Sequence, residues 1–152
     1  MNNIRKKAGI TILILVVVFL LLQAIRPERS NPPVRSDLTA DPEVKSLLRR
    51  SCYNCHSNET VWPWYSRVAP VSWLIASDVN EGRQNLNFSE WGSYSNQIQS
   101  HKLADIAGET RDGEMPPWYY TLAHADSKLS PSEKDRIQAW AGASAKPQAA
   151  GE

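Results

Sequence analysis

Cysteine and methionine are nearly missing from this sequence of 152 residues, which contains two of each. Two cysteines are too few for a disulfide-stapled scaffold, and they supply only half of an all-cysteine zinc site. The chain also lacks an excess of one charge, because its formal net charge is +1. This excludes a strongly basic nucleic-acid-binding protein, so no nucleic acid is expected as a partner.

One long apolar run is present, and it lies close to the N-terminus. Residues 8–25 contain one strongly polar side chain, Gln23, and as a helix they span about 27 Å, near the roughly 30 Å of a hydrocarbon core. Basic residues at 5–7 precede the run and favour a cytoplasmic N-terminus. We therefore expect a cytoplasmic segment at 1–7 and a single transmembrane signal-anchor at 8–25. The membrane is then a partner of the chain, with a single pass through a bacterial inner membrane and the remainder in the periplasm.

A cleaved signal peptide is the competing interpretation of the same run. The apolar region of a signal peptide is usually about 7–15 residues long and ends at a site of two small residues separated by one. The run here is longer, and the best such site begins with the bulky Leu22. Either interpretation exports the rest of the chain.

Three segments of different composition follow the run. Residues 26–36 are rich in proline, serine and charge, and we expect an extended linker there. Residues 37–143 contain 10 basic and 14 acidic residues, a formal charge of −4, together with all six tryptophans. We expect this region to fold as one domain and residues 144–152, which are small and polar, to form a flexible tail.

Helical spacing of apolar residues predicts about four short helices in the folded region, and no strand-like alternation of useful length is present. The helices are expected from Asp41, from Pro70 to near Gly82, around residues 94–107, and after a capping box at residues 130–133. Four short helices joined by long loops bury little side-chain core for a domain of this size. We therefore predict an all-α domain whose centre is filled by a cofactor.

The two cysteines stand in the pentapeptide Cys52-Tyr53-Asn54-Cys55-His56, which is the C-x-x-C-H signature of covalent haem attachment. Thiols three residues apart project from one helical turn, as addition to two vinyl groups on one porphyrin edge requires. His56 follows directly and is placed to be the proximal iron ligand. We expect one haem c, attached through Cys52 and Cys55.

Three other uses of this motif have less support. A thioredoxin-like dithiol needs a βαβ context that the sequence does not show. A zinc site needs two further ligands at short spacing, whereas His101 and His124 are 23 positions apart, so no zinc is expected. A disulfide between Cys52 and Cys55 closes a tight, strained ring and gives His56 no role.

Met115 is the only methionine after Met1, and it is the candidate sixth ligand of the iron. In the segment 113–117 a glycine precedes it and two prolines follow it, which restricts the backbone on both sides. Ligation by His and Met is typical of electron transfer and raises the reduction potential. His101 and His124 are alternative ligands, an ordinary core role is the alternative for Met115, and a five-coordinate iron would imply ligand sensing or peroxide chemistry.

These motifs resemble those of class I c-type cytochromes, which carry C-x-x-C-H on the first helix, a Met-Pro loop and a terminal helix. The chain resembles the bacterial haem-binding domain family more closely. That family's motifs correspond here to Cys52–Thr60, Trp62–Tyr65, Pro70–Leu74 and Gly113–Pro117. The resemblance implies a cytochrome c-like, all-α domain around one covalent haem, in which the first and last helices pack together. It implies a cofactor and no particular reaction.

Three further residues are candidates for haem contacts. In the cytochromes that the chain resembles, a proline carbonyl accepts a hydrogen bond from the proximal histidine, which makes Pro70 a candidate partner of His56. The indole N–H of Trp62 and the guanidinium of Arg67 are candidate donors to a haem propionate.

The leading functional hypothesis is a membrane-anchored periplasmic monohaem electron carrier with redox proteins as partners. In this hypothesis both His56 and Met115 stay on the iron. The alternative is a haem-based sensor or peroxidase-like enzyme with a labile sixth ligand. A third hypothesis is a binding module whose haem is chiefly structural, and a carrier or binding module is preferred over an enzyme.

Overall fold

The computed structural model describes residues 2–145, and the regular secondary structure of this range consists of helices. They form seven α-helices: α1 (Asn2–Leu22), α2 (Pro42–Ser51), α3 (Tyr53–His56), α4 (Val71–Asn85), α5 (Asn96–Asp112), α6 (Trp118–Ala123) and α7 (Pro131–Ser144). Short 3-10 turns lie between them at Trp64–Arg67, Trp91–Ser93 and Ala125–Ser127. Within residues 2–145 there is no strand, and extended pairing is limited to an isolated bridge between Ser36 and Glu90.

The prediction of a transmembrane segment at 8–25 is wrong. Among residues 2–145, no helix is both long enough and apolar enough to cross a membrane. α1 ends at Leu22, so its apolar part from Ala8 onward is about 22 Å long, short of a hydrocarbon core of about 30 Å. Any longer stretch of α1 must extend toward its N-terminus and so includes basic residues from positions 5–7, which are not apolar. The single pass through an inner membrane and the membrane partner depended on this segment, and these predictions are wrong with it. The predicted periplasmic location depended on the same segment and has no support.

The four helices predicted from spacing correspond to α2, α4, α5 and α7. α4 runs through Gly82 and ends three residues later, whereas α5 passes its expected end and stops at Gly113, which has a left-handed φ of 80°. Apolar spacing did not predict α3 or α6, because four and six residues are too few to show a helical period. The helical turn expected from the C-x-x-C-H motif corresponds to α3. The predicted tail at 144–152 lies outside the described residues, apart from the end of α7.

The contacts divide the chain into two units. The first unit consists of the residues up to Ser30 together with Val61–Asp78, and the second consists of Asn31–Thr60 together with the residues from Val79 onward. The predicted boundaries of the linker and of the folded region stay predictions.

Side-chain hydrogen bonds organise the first unit after the end of α1. The Gln23 carboxamide bonds the main chain of Ala69 twice: its Oε1 accepts from the N–H at 2.9 Å, and its Nε2 donates to the carbonyl at 3.3 Å. The indole N–H of Trp73 donates to the carbonyl of Ile25 at 2.8 Å. These bonds tie the residues that follow α1 to the start of α4 and the segment before it.

The core of the second unit is one apolar cluster in which α5 packs along α7 and α2 packs against α7. Its buried members are Leu38, Val44, Leu47, Leu48, Tyr53, Phe88, Leu103, Ile106, Leu129, Ile137 and Ala141. Val44 and Leu48 are fully buried, as is Ile137 of α7. The last turn of α2 therefore enters the core immediately before the C-x-x-C-H motif begins.

The capping box of α7 makes stability depend on pH. Glu133 accepts a hydrogen bond from the N–H of Ser130 at 2.8 Å and pairs with Arg50 at 2.7 Å, and these partners lower its pKa from 4.5 to about 2. Because the folded pKa is depressed, the stabilisation is complete above pH 4.5 and is lost as the pH falls towards 2.

We expect Glu133→Gln to lower the melting temperature at neutral pH. Near pH 2 the melting temperature of the variant should approach that of the parent protein, as measured by circular dichroism. Asp135→Asn, on the same helix and without an ion pair among the described residues, is the control and should change the pH profile less. Identical pH profiles for the two variants would contradict this role of Glu133.

Candidate functional site

The C-x-x-C-H motif forms α3, a single turn placed directly after α2. The Cys52 N–H donates to the carbonyl of Leu48 at 2.8 Å, and the Cys52 carbonyl accepts from the N–H groups of Cys55 and His56 at 3.1 and 2.9 Å. Both cysteines are partly buried, and no disulfide joins them. One helical turn therefore presents the two thiols and the imidazole together.

The ring of His56 is oriented by two main-chain carbonyls at the end of α4. Its Nδ1 lies 3.0 Å from the carbonyl oxygen of Gly82 and 3.1 Å from that of Leu86. Only a protonated Nδ1 can donate to these acceptors, so the lone pair of the neutral ring is on Nε2, as in a metal-ligating histidine. Burial, opposed by the two hydrogen bonds, lowers the pKa of His56 and favours that neutral ring.

Gly82 allows α4 to approach the motif closely. A Cβ at this position would lie 2.7 Å from the carbonyl oxygen of Cys55 and 3.1 Å from its carbonyl carbon. Both are backbone atoms, so a side chain at residue 82 would force the two segments apart. The sequence suggested a helix end at this glycine, and no local pattern signals a close approach between segments 27 positions apart.

Arg83 fixes the loop that follows the motif. Its Nε donates to the carbonyl of Ser57 at 2.8 Å, and a terminal nitrogen donates to Oγ1 of Thr60 at 2.9 Å. The N–H of Phe88 donates to the His56 carbonyl at 2.8 Å. α4 and the segment after it thus hold the motif at His56 and beyond, and sequence reasoning missed this role of Arg83.

Tyr53, the first variable residue of the motif, is buried in a polar network with α2. Its ring stacks on Phe88 with centroids 4.8 Å apart, and its hydroxyl donates to Asp37 at 2.7 Å. Burial alone would raise the pKa of Asp37, but hydrogen bonds from Lys45 and Tyr53 hold it below its usual value. Burial and the bond to Asp37 raise the pKa of Tyr53, so its hydroxyl remains a donor.

The electrostatics at Cys52 do not suit a redox-active dithiol. Burial, with Cys55 close by, raises the pKa of the Cys52 thiol to about 12. A dithiol oxidoreductase instead needs a thiol whose pKa is lowered. The described residues also contain no cluster of three His, Cys, Asp or Glu side chains that could hold a metal ion.

Met115 lies on the loop between α5 and α6. The N–H groups of Gly113, Glu114 and Met115 all donate to the carbonyl of Glu109, at 3.1, 3.1 and 3.2 Å. The left-handed φ of Gly113 makes this tight turn possible, because only glycine adopts it without strain. The Met115 backbone is therefore fixed, while 36% of the residue is exposed.

α6 connects the Met115 loop to the attachment motif. The Asn54 side chain, in the middle of the motif, donates from Nδ2 to the Tyr120 hydroxyl at 2.8 Å. Tyr120 stacks on His124 with centroids 4.4 Å apart. His124 is thus placed beside α6, whereas His101, the other alternative ligand, is exposed on α5.

The remaining predicted contacts, Trp62, Arg67 and Pro70, belong to the first unit. The Pro70 carbonyl accepts a hydrogen bond from the N–H of Trp73 at 3.0 Å. The carbonyls within hydrogen-bond distance of His56 Nδ1 are those of Gly82 and Leu86. Trp62 is partly buried, and Arg67 is exposed at the end of a 3-10 turn. Their contacts with haem stay predictions.

The sequence matches the profile of one protein family, described as the haem-binding domain, over residues 17–143. The chain belongs to this haem-binding domain family. The match covers most of the chain and includes the attachment motif, Gly82 and Met115. Comparisons with curated proteins and with solved structures found no match.

The residues of this haem-binding domain fit the cofactor. Two cysteines that are not joined in a disulfide stand three positions apart on one turn, and His56 keeps the lone pair of Nε2 available while Nδ1 is bonded. The missing side chain at Gly82 leaves the backbone of Cys55 undistorted. Cys52, Cys55 and His56 are the residues that would hold haem on this side.

Proposed function

We propose that this haem-binding domain carries one haem c, attached through Cys52 and Cys55, and transfers single electrons. The observation that supports this most strongly is the position of the single Nδ1–H of His56, which lies within hydrogen-bond distance of the carbonyls of both Gly82 and Leu86. An imidazole whose Nδ1–H is held in this way has its Nε2 lone pair available to iron. When bound, haem supplies an iron that accepts and releases one electron.

Attachment requires both cysteines in the reduced form, and no disulfide joins them. Each Sγ would form a thioether bond to one vinyl carbon, and the thiol hydrogen would go to the neighbouring vinyl carbon. The addition therefore needs no oxidant or reductant. α3 contributes the spacing, because the hydrogen bonds to the Cys52 carbonyl fix both cysteines on one turn.

We also propose Met115 as the sixth ligand. The turn built on the Glu109 carbonyl fixes its backbone, and the Asn54–Tyr120 hydrogen bond holds α6, which follows the loop, to the attachment motif. A thioether that stays on iron in both oxidation states excludes other ligands and raises the reduction potential. These properties are those of an electron carrier.

We expect Met115→Ala to remove the red charge-transfer band that a methionine sulfur gives with ferric haem, to lower the reduction potential, and to allow carbon monoxide to bind the reduced protein. Optical spectra and a redox titration measure these effects. Leu122→Ala is the matched control, because Leu122 is an exposed apolar residue of the adjacent helix. Unchanged spectra in Met115→Ala would show that another group is the sixth ligand.

The exposure of Met115 favours a second candidate function, a haem-based sensor or peroxidase-like enzyme with a labile sixth ligand. In that case the unsubstituted protein, once reduced, should bind carbon monoxide rapidly. Slow or absent binding by the parent protein and rapid binding by Met115→Ala would support the electron carrier.

A further inference from the structure

A cavity of about 370 Å³ lies within the first unit, and three arginines line it. They are Arg26, Arg29 and Arg67, with Ser66 and Ser72 beside them. No aspartate or glutamate is among its lining residues. Its volume is at the lower end of the roughly 300–1,000 Å³ of small-molecule sites.

Hydrogen bonds between opposite walls give this cavity a defined shape. A terminal nitrogen of Arg29 donates to the carbonyl of Ser66 at 2.9 Å. The Gln23 carboxamide, which also lines the cavity, is paired with the main chain of Ala69. The segment carrying Arg29 is thereby fastened to the segment carrying Ser66.

The positive charge of the cavity is not neutralised by the described part of the chain. None of its ion pairs involves Arg26, Arg29 or Arg67. Arg26 and Arg67 are exposed, and Arg29 is partly buried and uses one of its donors on Ser66. Three positively charged arginines thus line one concave space.

We propose that this cavity binds a small multivalent oxyanion of the phosphate or carboxylate class. Guanidinium groups bind such anions through paired N–H donors whose geometry matches two oxygen atoms. A volume well above the roughly 30 Å³ share of one water fits a ligand with several anionic groups. The site lies outside the residues that hold haem in the proposed function and does not depend on that function.

The proposal is tested by calorimetric titration of the full, haem-loaded chain with pyrophosphate, followed by competition with citrate and with chloride. We expect one binding site for pyrophosphate, with competition by citrate but not by chloride. The variant Arg26→Gln should weaken pyrophosphate binding about tenfold or more, because it loses a charge-assisted hydrogen bond. Arg35→Gln is the control, because Arg35 is an exposed arginine outside the cavity. The affinity of Arg35→Gln for pyrophosphate should stay within about twofold of the parent value, since exposed charges away from the ligand contribute little to binding.

Equal weakening of pyrophosphate binding by Arg35→Gln and Arg26→Gln would show attraction to the overall charge and overturn the proposal. Absence of binding in both haem-loaded and haem-free protein would also overturn it. Binding by the haem-free protein alone would assign the arginines to the haem propionates and overturn the proposal of a separate anion. A normal haem spectrum in Arg26→Gln would show that weakened anion binding is not a failure of the haem proposal.

Discussion

Replacing both Cys52 and Cys55 with serine is expected to abolish covalent haem attachment completely. A serine hydroxyl does not form the thioether bonds, and these two residues are the only cysteines in the chain. Haem that still binds through His56 should dissociate when the protein is unfolded. The measurement is haem staining of the protein on a denaturing gel, with each single variant expected to retain one bond.

Ser51→Ala is the matched control for the cysteine variants. Ser51 is buried next to Cys52, and its Oγ has no hydrogen-bond partner in residues 2–145. Removing an unsatisfied buried hydroxyl is expected to leave haem attachment intact and stability unchanged or higher. Haem staining of the double serine variant on the denaturing gel would contradict attachment through these thiols.

Gly82→Ala is expected to produce the largest effect of a single small substitution near the site. The added Cβ meets the carbonyl oxygen of Cys55 at 2.7 Å, so α4 and α3 must separate. Overpacking of this kind costs about 1–3 kcal/mol of unfolding free energy. The separation also moves the carbonyls that orient His56, so the yield of haem-loaded protein should fall.

Gly142→Ala provides the control, because Gly142 lies within α7 and a Cβ there meets no atom of the described residues within 4 Å. Alanine is the better helix former by about 1 kcal/mol, so this variant should be neutral or stabilised. Urea unfolding of both variants gives the two free energies. Equal stability and equal haem loading for the two variants would refute the close approach at Gly82.

The helical turn of the C-x-x-C-H motif could be predicted from the sequence because its geometry is local. The spacing of Cys52, Cys55 and His56 requires one helical turn, and α3 is such a turn. The proline after Asp41 and the capping box at Ser130 likewise mark the starts of α2 and α7. Short-range hydrogen bonds decide these features, and the residues that make them are adjacent in the sequence.

Contacts between distant segments could not be predicted in the same way. The carbonyls of Gly82 and Leu86 bind His56 through their main chains, which any residue could offer. The bond between Asn54 and Tyr120 joins side chains 66 positions apart. α6 is too short to show a helical period in the sequence, so its connection to the C-x-x-C-H motif could not be predicted.

The end of α1 shows the same limitation. Hydropathy extends the apolar run to residue 25, but the helix stops at Leu22. The next residue, Gln23, uses its carboxamide to bind the main chain of Ala69, 46 positions away. Apolar composition therefore overstated the length of the helix, and the prediction of a membrane span failed with it.

The most direct test of covalent haem attachment is mass spectrometry of the tryptic peptide 51–67. Cleavage after Arg50 and Arg67 leaves both cysteines and His56 on this one peptide. We predict a peptide heavier by one haem, with no thiol available for alkylation. A peptide of unmodified mass whose two thiols both react with iodoacetamide, from protein purified with its haem, would contradict the account.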